Sequence, residues 1–522
     1  MKARRIATAC ALSLLACLTA NAAEPRVGKF VRFDAGEFVI VTSRSSLQAR
    51  HFMEQLTMFR VALERTLGKR ATRKAAPTTI LITSNADWSN WLQPRQSVTG
   101  FFQRGRFSNY LAMNGDSSPQ ETLHLVFHEY THYYLATQFA GEYPPWFNEG
   151  LAELMGYARF KEGTAILAIP LEQVSEARDG DWIPFERLIR VKHNDPEYQS
   201  HRLGPSFYAQ SWLTVHYGLI ENRDFGRQIL EYLARINTLV PPEEAARQVF
   251  GADLSVIDSQ LRAYSRSKRM TSGGVSLGEL PPVTLAEGVP LGDLDTLEIL
   301  ADVMIETQNP PARIRPLIDS LQRREPDAAR PAILAARVAL LANDNAAFEA
   351  AVAKAETSLA PDDWLQRRKL ASVLLNSMDK SDPKDSGNGE SADRYTARAM
   401  KWFAEALQHN NADVEALWGF GTAATRLDKN LDLAEQALVS AYQRAPSNAD
   451  IAMSLVHLKA KQQKPEEMIP FLEDVIRLST NLGMRSWAAD TLVETKNYIV
   501  ERDKVEEENK KKRDQYEKRK RK

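Results

Sequence analysis

The sequence predicts a two-part protein, in which an α+β domain is followed by an all-α domain. Three observations support this prediction. Short apolar runs with strand character alternate with helical patterns up to about residue 266. A stretch rich in Gly and Pro follows from residue 272 to residue 292. Beyond it, apolar residues recur with helical periodicity almost to the end of the chain.

The first domain is expected to consist of a hairpin, a helix, further strands and then several helices. Apolar alternation predicts the strands, and Pro residues mark helix starts and breaks. The predicted strand segments are 30–43, 78–83 and 101–113, and the predicted helices are 47–67, 119 to beyond 134, 146–157, 205–218, 225–236 and 242–266.

Residues 1–22 have the pattern of a secretory signal peptide. Three basic residues among the first five precede the apolar run Ile6–Leu18, and Ala20-Asn21-Ala22 follows as a cleavage site. We therefore expect export to the periplasm or the extracellular space. An uncleaved anchor and a lipoprotein attached through Cys17 are the weaker alternatives. Both cysteines of the chain lie in this segment, so a metal in the mature chain would have to be held by His and carboxylate groups.

The charge balance argues against a nucleic-acid-binding protein. The chain carries 67 basic and 67 acidic residues, and removal of the three basic residues of segment 1–22 leaves a small net negative charge. No apolar run long enough to span a membrane occurs after residue 22. The sequence therefore predicts neither a nucleic-acid partner nor a transmembrane span in the mature chain.

The predicted all-α domain, residues 293–500, contains an internal repeat. The tripeptide Asn411-Ala412-Asp413 recurs as Asn448-Ala449-Asp450, and Trp418 and Pro446 lie between the two copies at positions that fit a tetratricopeptide unit. A generic helical bundle is the alternative. Segment 379–393 is expected to be an inserted loop. Residues 271–292 are interpreted as a linker and residues 501–522, rich in Lys, Arg and Glu, as a charged tail that is frayed or disordered.

The chemistry of the chain is indicated by His128-Glu129-Tyr130-Thr131-His132. Residues four apart share one face of a helix, so both imidazoles can bind the same ion. Glu129 would lie beside that ion, where it can take a proton from a water molecule. A purely structural His pair is the alternative, and the neighbouring sequence argues against it.

A third ligand is expected from Glu149 in Trp146-Phe147-Asn148-Glu149-Gly150-Leu151-Ala152-Glu153, because catalytic zinc usually has three protein ligands and one open position. Glu149 follows His132 by 17 residues, which allows a second helix to return alongside the first. Glu153 is the rival ligand, although a hydrogen bond to a ligand His is the preferred role for it. His124, one turn before His128, is interpreted as a packing or supporting residue.

The HExxH sequence together with Asn-Glu-Gly-Leu-Ala resembles the gluzincin metallopeptidases, and most closely their small peptidase-MA-like domains. The resemblance covers about residues 30–266 as a fold and residues 128–153 as a strong motif. It implies a zincin-like domain at residues 23–270 that holds Zn²⁺ through His128, His132 and Glu149, with Glu129 as the general base. A downstream Tyr or His stabilises the oxyanion in that family, which implies Tyr208, with His216 as the alternative.

The sequence thus predicts an exported zinc metallopeptidase whose substrate is a peptide or protein. The strand at Ser108–Asn114 is expected to be the edge along which substrate lies. The repeats would bind a protein partner or the substrate, and residues 24 to about 270 would contain every catalytic group. Two alternatives stay open: a non-catalytic zinc-containing interaction module of the cell envelope, and a zinc hydrolase that acts on cell-wall or ester substrates.

Overall fold

The computed structural model describes most of the chain. The described residues are 24–520, apart from 37, 69–77, 94–98, 117–118, 139–142, 239, 284, 378–388 and 480. The predicted signal peptide, both cysteines and most of the predicted inserted loop lie outside the described residues. Among the described residues, no helix combines the length and the apolar character that a membrane crossing requires.

The first part of the chain builds a six-stranded mixed sheet. The elements are β1 (Val31–Ala35), β2 (Phe38–Thr42), α1 (Ser46–Leu67), β3 (Thr78–Thr83), α2 (Asn85–Asp87), a π-helical turn (Trp88–Leu92), β4 (Gly100–Arg104) and β5 (Asn109–Asn114). With a later strand, β9 (Val289–Pro290), the strands lie in the order β4-β5-β3-β2-β1-β9, and all neighbours are antiparallel except the β2–β3 and β3–β5 pairs.

A helical region and a small second sheet follow. Strands β6, β7 and β8 form this three-stranded antiparallel sheet. The elements are α3 (Pro119–Gln138), α4 (Pro145–Gly156), β6 (Ala158–Lys161), β7 (Thr164–Leu167), α5 (Leu171–Asp179), α6 (Phe185–Leu188), α7 (Pro196–Gln199), α8 (Gly204–His216), a π-helical turn (Tyr217–Glu221), α9 (Arg223–Asn237), α10 (Pro242–Phe250), α11 (Ser255–Ser265), β8 (Gly273–Ser276) and β9 (Val289–Pro290).

The remainder is helical. Its elements are α12 (Asp293–Glu306), α13 (Pro311–Arg324), α14 (Ala329–Ala342), α15 (Asn345–Thr357), α16 (Trp364–Asn376), α17 (Gly389–His409), α18 (Val414–Arg426), α19 (Leu431–Arg444), α20 (Ala449–Lys461), α21 (Pro465–Leu478) and α22 (Leu482–Lys520). The predicted order along the chain, an α+β part followed by a helical-repeat part, is confirmed.

The large sheet is buried on both faces, because its strands are apolar at successive positions. On β3, Ile80 and Ile82 face the core that contains α1 and α3. Leu81, between them, points to the other side and belongs to a second core built with α12, α13 and α14. The first repeat helices therefore cover one face of the sheet. This packing argues against independent folding of residues 24–270.

The segment predicted to be a linker, residues 271–292, is part of the folded body. Its strand β8 pairs with β7, and its strand β9 pairs with β1 at the edge of the large sheet. The interpretation as a linker was wrong, since Gly and Pro residues are also compatible with short edge strands. The predicted charged tail, in turn, continues the last helix as far as Lys520.

The repeat domain consists of successive helix pairs. The first helices of the pairs, α12, α14, α16, α18 and α20, begin at residues 293, 329, 364, 414 and 449, a period of about 35 residues interrupted once before α18. The two copies of the repeated tripeptide differ by two residues in their position relative to the start of the helix that follows. Asp413, its last residue in the first copy, caps α18, whereas Asn448, its first residue in the second copy, caps α20.

Candidate metal centre

Two packed helices hold the residues of the candidate site. Helix α3 carries His128 and His132, and α4 carries Glu149. Pro145 occupies the first turn of α4, where its missing N–H costs nothing. The next residue, Gly150, lies where α4 packs directly against α8, and a larger residue would not fit there. A Cβ at Gly150 would be only 2.3 Å from the backbone oxygen of Ser211.

Three ligand atoms converge between these helices. Nε2 of His128 lies 3.1 Å from Nε2 of His132. Oε2 of Glu149 lies 3.3 Å from Nε2 of His128 and 3.5 Å from Nε2 of His132. The side chains of His128, His132 and Glu149 are 12%, 16% and 5% exposed, so the group is largely shielded from water. The structure thus brings together the three residues that the sequence predicts as ligands.

The spacing of these atoms fits a tetrahedral zinc site. Bonds of 2.0–2.1 Å to N and O ligands place any two ligand atoms of a tetrahedron about 3.3 Å apart. The three measured separations, 3.1, 3.3 and 3.5 Å, bracket that value. Three protein ligands would leave the fourth position for water or substrate, which is typical of catalytic rather than structural zinc sites.

Further polar residues orient the two imidazoles. Nδ1 of His132 lies 3.0 Å from Oδ1 of Asn148, and Nδ1 of His128 lies 3.3 Å from Oε1 of Glu153. Gln173 donates a hydrogen bond of 3.0 Å to the other oxygen of Glu153. Glu153 therefore contacts the ring nitrogen of His128 that faces away from Glu149. This is the supporting position that the sequence analysis preferred for it.

His124 forms a second potential metal-binding group with His128 and Glu153. Its ring packs on Tyr157, with 4.1 Å between the ring centroids. Burial lowers the pKa of His124, so the neutral imidazole is the stable form. The two groups share His128 but use it differently, since Glu153 approaches Nδ1 whereas Glu149 and His132 approach Nε2.

Electrostatics favour a positive charge at the centre of the group. Burial by itself lowers the pKa of both imidazoles. Glu149 and Glu153 outweigh burial at His128, whose pKa is well above the ordinary value, and Glu149 outweighs it at His132, whose pKa is also raised. For Glu149, burial raises the pKa, and the two His side chains outweigh it and hold that pKa well below its usual range. A buried carboxylate of this kind is stable only beside protons or a cation.

Tyr198 is a site residue that the sequence analysis missed. Its hydroxyl donates a hydrogen bond of 2.9 Å to Oε1 of Glu149, the carboxylate oxygen that does not face the His pair. Tyr198 lies on the short helix α7, 49 residues after Glu149. No local pattern distinguishes this Tyr from the others, because only the chain fold places it beside α4.

Tyr208, the predicted oxyanion donor, lies on α8 next to Tyr198, with ring centroids 6.1 Å apart. Burial raises its pKa, and the negative charges of Glu149 and Glu129 act in the same direction. Its hydroxyl therefore remains protonated at neutral pH and can donate a hydrogen bond. Glu129 also raises the pKa of His128 and His132, so its negative charge acts on both imidazoles and on Tyr208.

His216, the alternative oxyanion donor, is fully buried in another part of the domain. Its Nδ1 is 2.8 Å from the hydroxyl of Tyr264, and its ring packs on Trp212 at 5.0 Å between centroids. Burial lowers the pKa of His216 to about 4. A fully buried side chain cannot contact a substrate, so His216 is a residue of the protein core.

The predicted substrate edge also needs correction. Strand β5, which covers most of the predicted segment 108–114, pairs with β3 on one side and with β4 on the other. Its backbone groups are therefore already engaged. The outermost strand of the sheet on this side is β4, and α3 packs against it through Leu125, close to Gly100, and through Tyr133, whose ring centroid lies 5.7 Å from that of Phe102.

Comparison with known proteins gives similarity only at the level of helical repeats. No family model matches the chain, and no curated protein matches it in sequence. Among solved structures, the chain is similar to YrrB, a TPR protein with an unusual peptide-binding site (17% identity over 38% of this chain and 92% of that one, TM-score 0.29). It is also similar to PilW, a type IV pilus biogenesis factor (13%, 40% and 93%, TM-score 0.30), and to yeast Tom70 (12%, 86% and 72%, TM-score 0.30). These scores are too low to support a functional argument.

Proposed function

We propose that the protein is a zinc-dependent peptidase with a gluzincin-like site, exported by its N-terminal segment. The observation that carries this proposal is the triangle of ligand atoms from His128, His132 and Glu149, with sides of 3.1–3.5 Å. Zinc bound there would supply Lewis acidity, lowering the pKa of water and polarising a carbonyl. Peptide or protein is the proposed substrate class.

The remaining chemistry falls to side chains of this chain. Glu129 follows the first ligand His on α3, and its carboxylate would accept the proton of the attacking water. Tyr208 keeps its hydroxyl proton, because burial and nearby carboxylates raise its pKa. That hydroxyl would donate to the carbonyl oxygen of the substrate as negative charge develops on it. Tyr198 would hold Glu149 so that only one carboxylate oxygen faces the two imidazoles.

Metal analysis combined with a peptide library tests the proposal. We expect about one zinc per chain and metal-dependent cleavage. His128→Ala should lose metal and activity together, whereas Glu129→Gln should keep metal and lose turnover. Glu121 is exposed and lies nearer the start of the same helix, so Glu121→Gln is the matched control and should behave like the wild type. Equal metal loss in the Glu129 and His128 variants would refute the assignment of Glu129 as the base.

A non-catalytic zinc protein is the second candidate function. The array of helix pairs favours it, since such arrays offer extended surfaces for protein binding. Both candidates use the same ligands but differ in turnover. Tight zinc binding without cleavage of any library peptide by the wild type, together with capture of a protein by the repeats, would support the interaction module instead of the peptidase.

Export is supported by the sequence pattern of residues 1–22. We expect a mature N-terminus at Ala23 or Glu24 and no titratable thiol in the mature protein. Intact-mass measurement of protein expressed from the full-length gene checks this directly. A mass that retains Met1 would refute cleavage, and a diacylglyceryl adduct on Cys17 would support the lipoprotein alternative.

A further inference from the structure

The turn between β4 and β5, residues 105–108, projects from the α+β domain onto the repeat domain. The turn is closed by a hydrogen bond of 2.9 Å from the amide of Gly105 to the carbonyl of Ser108. Arg106 and Phe107 form its tip. We call residues 105–108 the hairpin tip.

Three successive helix pairs hold the hairpin tip. Arg106 donates to Oδ1 of Asn376, at the end of α16, at 3.0 Å, and its guanidinium lies 4.8 Å from the ring centroid of Trp418 on α18. Its Nε lies 3.4 Å from Oδ1 of Asp450 on α20. Asn448, the cap of α20, donates to the carbonyl oxygen of Arg106 at 2.9 Å.

The neighbouring Phe107 adds an apolar contact to the same repeat surface. Its ring centroid lies 5.0 Å from that of Trp418. The indole N–H of Trp418 in turn donates to Ser454 of α20 at 2.9 Å, so the aromatic surface that receives the tip is itself fixed between two helix pairs. Ion pair, hydrogen bonds, cation–π contact and ring packing thus act on two adjacent residues of the tip.

The other end of the hairpin packs against α3, the helix that carries His128 and His132. Among the described residues, strand β4 is the outermost strand of the sheet on this side, and its position within the domain depends on β5, on packing from α3 and on the contact of Phe101 with Trp88, whose ring centroids lie 5.9 Å apart. That packing involves Tyr133, which is adjacent to His132 in the chain and contacts Phe102 of β4. A displacement of β4 would therefore act on the helix that carries two proposed ligands and on the strand edge beside it.

We propose that Arg106 is a positioning residue, through which the repeat domain fixes edge strand β4 beside the candidate metal centre. Only the kinetic consequence of this proposal rests on the proposed peptidase function. That consequence is that a substrate peptide pairing with β4 binds to a strand whose position is fixed by contacts with the repeat domain. The structural consequence, a more mobile β4 when the contact is lost, is independent of catalysis.

The test uses the full mature chain and two variants that weaken the contact from opposite sides, Arg106→Ala and Asp450→Asn. Arg106→Ala should accelerate amide exchange in residues 100–104 by roughly tenfold, because an edge strand with fewer anchors opens more often. Asp450→Asn should accelerate it less, because it weakens the ion pair and leaves the contacts of Arg106 with Asn376 and Trp418. The double variant should be little worse than Arg106→Ala alone, since that change already removes the ion pair with Asp450. Zinc content should remain at the wild-type level.

A matched control is available on the repeat domain. Arg394 also forms an ion pair, with Glu349 at 2.7 Å, and also lies over an aromatic ring, that of Tyr395 at 5.3 Å. Arg394→Ala therefore removes the same kinds of contact within the repeats, and exchange in β4 should stay at the wild-type rate. Unchanged exchange in Arg106→Ala, or equal acceleration in the control, would overturn the proposal.

The kinetic readout separates positioning from general stability. For a decapeptide substrate taken from the library, Arg106→Ala should raise KM by about tenfold with a smaller change in kcat, because binding along the strand is what is lost. A dipeptide reporter, too short to pair along β4, should be cleaved as by the wild type. If the wild type cleaves no peptide, the proposed function fails, and the exchange experiment alone decides whether Arg106 positions the strand.

Discussion

Cutting the chain after residue 270 should prevent the α+β domain from folding, although every proposed catalytic group lies before that point. The cut removes α12–α14, which cover one face of the sheet, and the strands β8 and β9. It would expose five large apolar side chains that are at most 2% exposed in the full chain: Phe30, Val41, Leu81, Trp88 and Leu92.

The loss can be set against the stability of a typical domain. Burial of a large apolar side chain contributes about 1.5–3 kcal/mol, so five of them contribute on the order of 10 kcal/mol. Net folding stability of a domain is itself about 5–15 kcal/mol. The exposed face alone is therefore enough to offset most or all of the stability of residues 24–270.

The assay compares two truncations by thermal unfolding and zinc content. Residues 24–343 retain α12–α14 and end at Asn343, whose φ of 54° terminates α14. We expect this chain to unfold cooperatively and to hold zinc, and we expect residues 24–270 to show neither property. A cooperative transition for residues 24–270 with a midpoint close to that of the longer truncation would refute the role assigned to α12–α14.

Three further outcomes are expected. Tyr208→Phe should lower kcat by about 10²–10³ with little change in KM and unchanged zinc, because the lost donor acts on the developing oxyanion; near wild-type kcat would exclude this role. Tyr198→Phe should weaken zinc binding by about tenfold in a chelator competition, since it frees one oxygen of Glu149, and an unchanged zinc Kd would count against it. His216→Gln should flatten the pH dependence of stability below pH 6.5 in urea titrations. Burial lowers the folded-state pKa of His216 to about 4, so the unfolded chain binds the proton first, and the wild type loses up to about 1.4 kcal/mol per pH unit between pH 6.5 and 4. Equal slopes for both proteins would contradict this.

Much of the candidate site could be predicted because its information is local. Helical periodicity alone places His128 and His132 on one face, and the break at Pro144-Pro145 allows α4 to return alongside α3. Glu149 followed from its motif and not from any periodicity. Glu153 lies one turn beyond Glu149 on the same helix and contacts Nδ1 of His128.

The repeat domain was predictable for the same reason, although its register was not. Helices α16, α18 and α20 each begin at an Asp or Asn cap, and the identical tripeptides ending at Asp413 and Asp450 pointed to a repeat. Their structural alignment differs by two residues, because either Asp or Asn can cap a helix and the cap position depends on where the helix begins.

Only the tertiary structure decided which surfaces meet. Apolar residues at consecutive positions of β3 indicate a strand buried on both faces, but they do not say that Leu81 packs on repeat helices rather than on the α+β domain. Tyr198 reaches Glu149, and Arg106 reaches Trp418, across 49 and more than 300 residues of chain. Sequence periodicity determines which side of an element is apolar, whereas the partner of that side depends on the path of the whole chain.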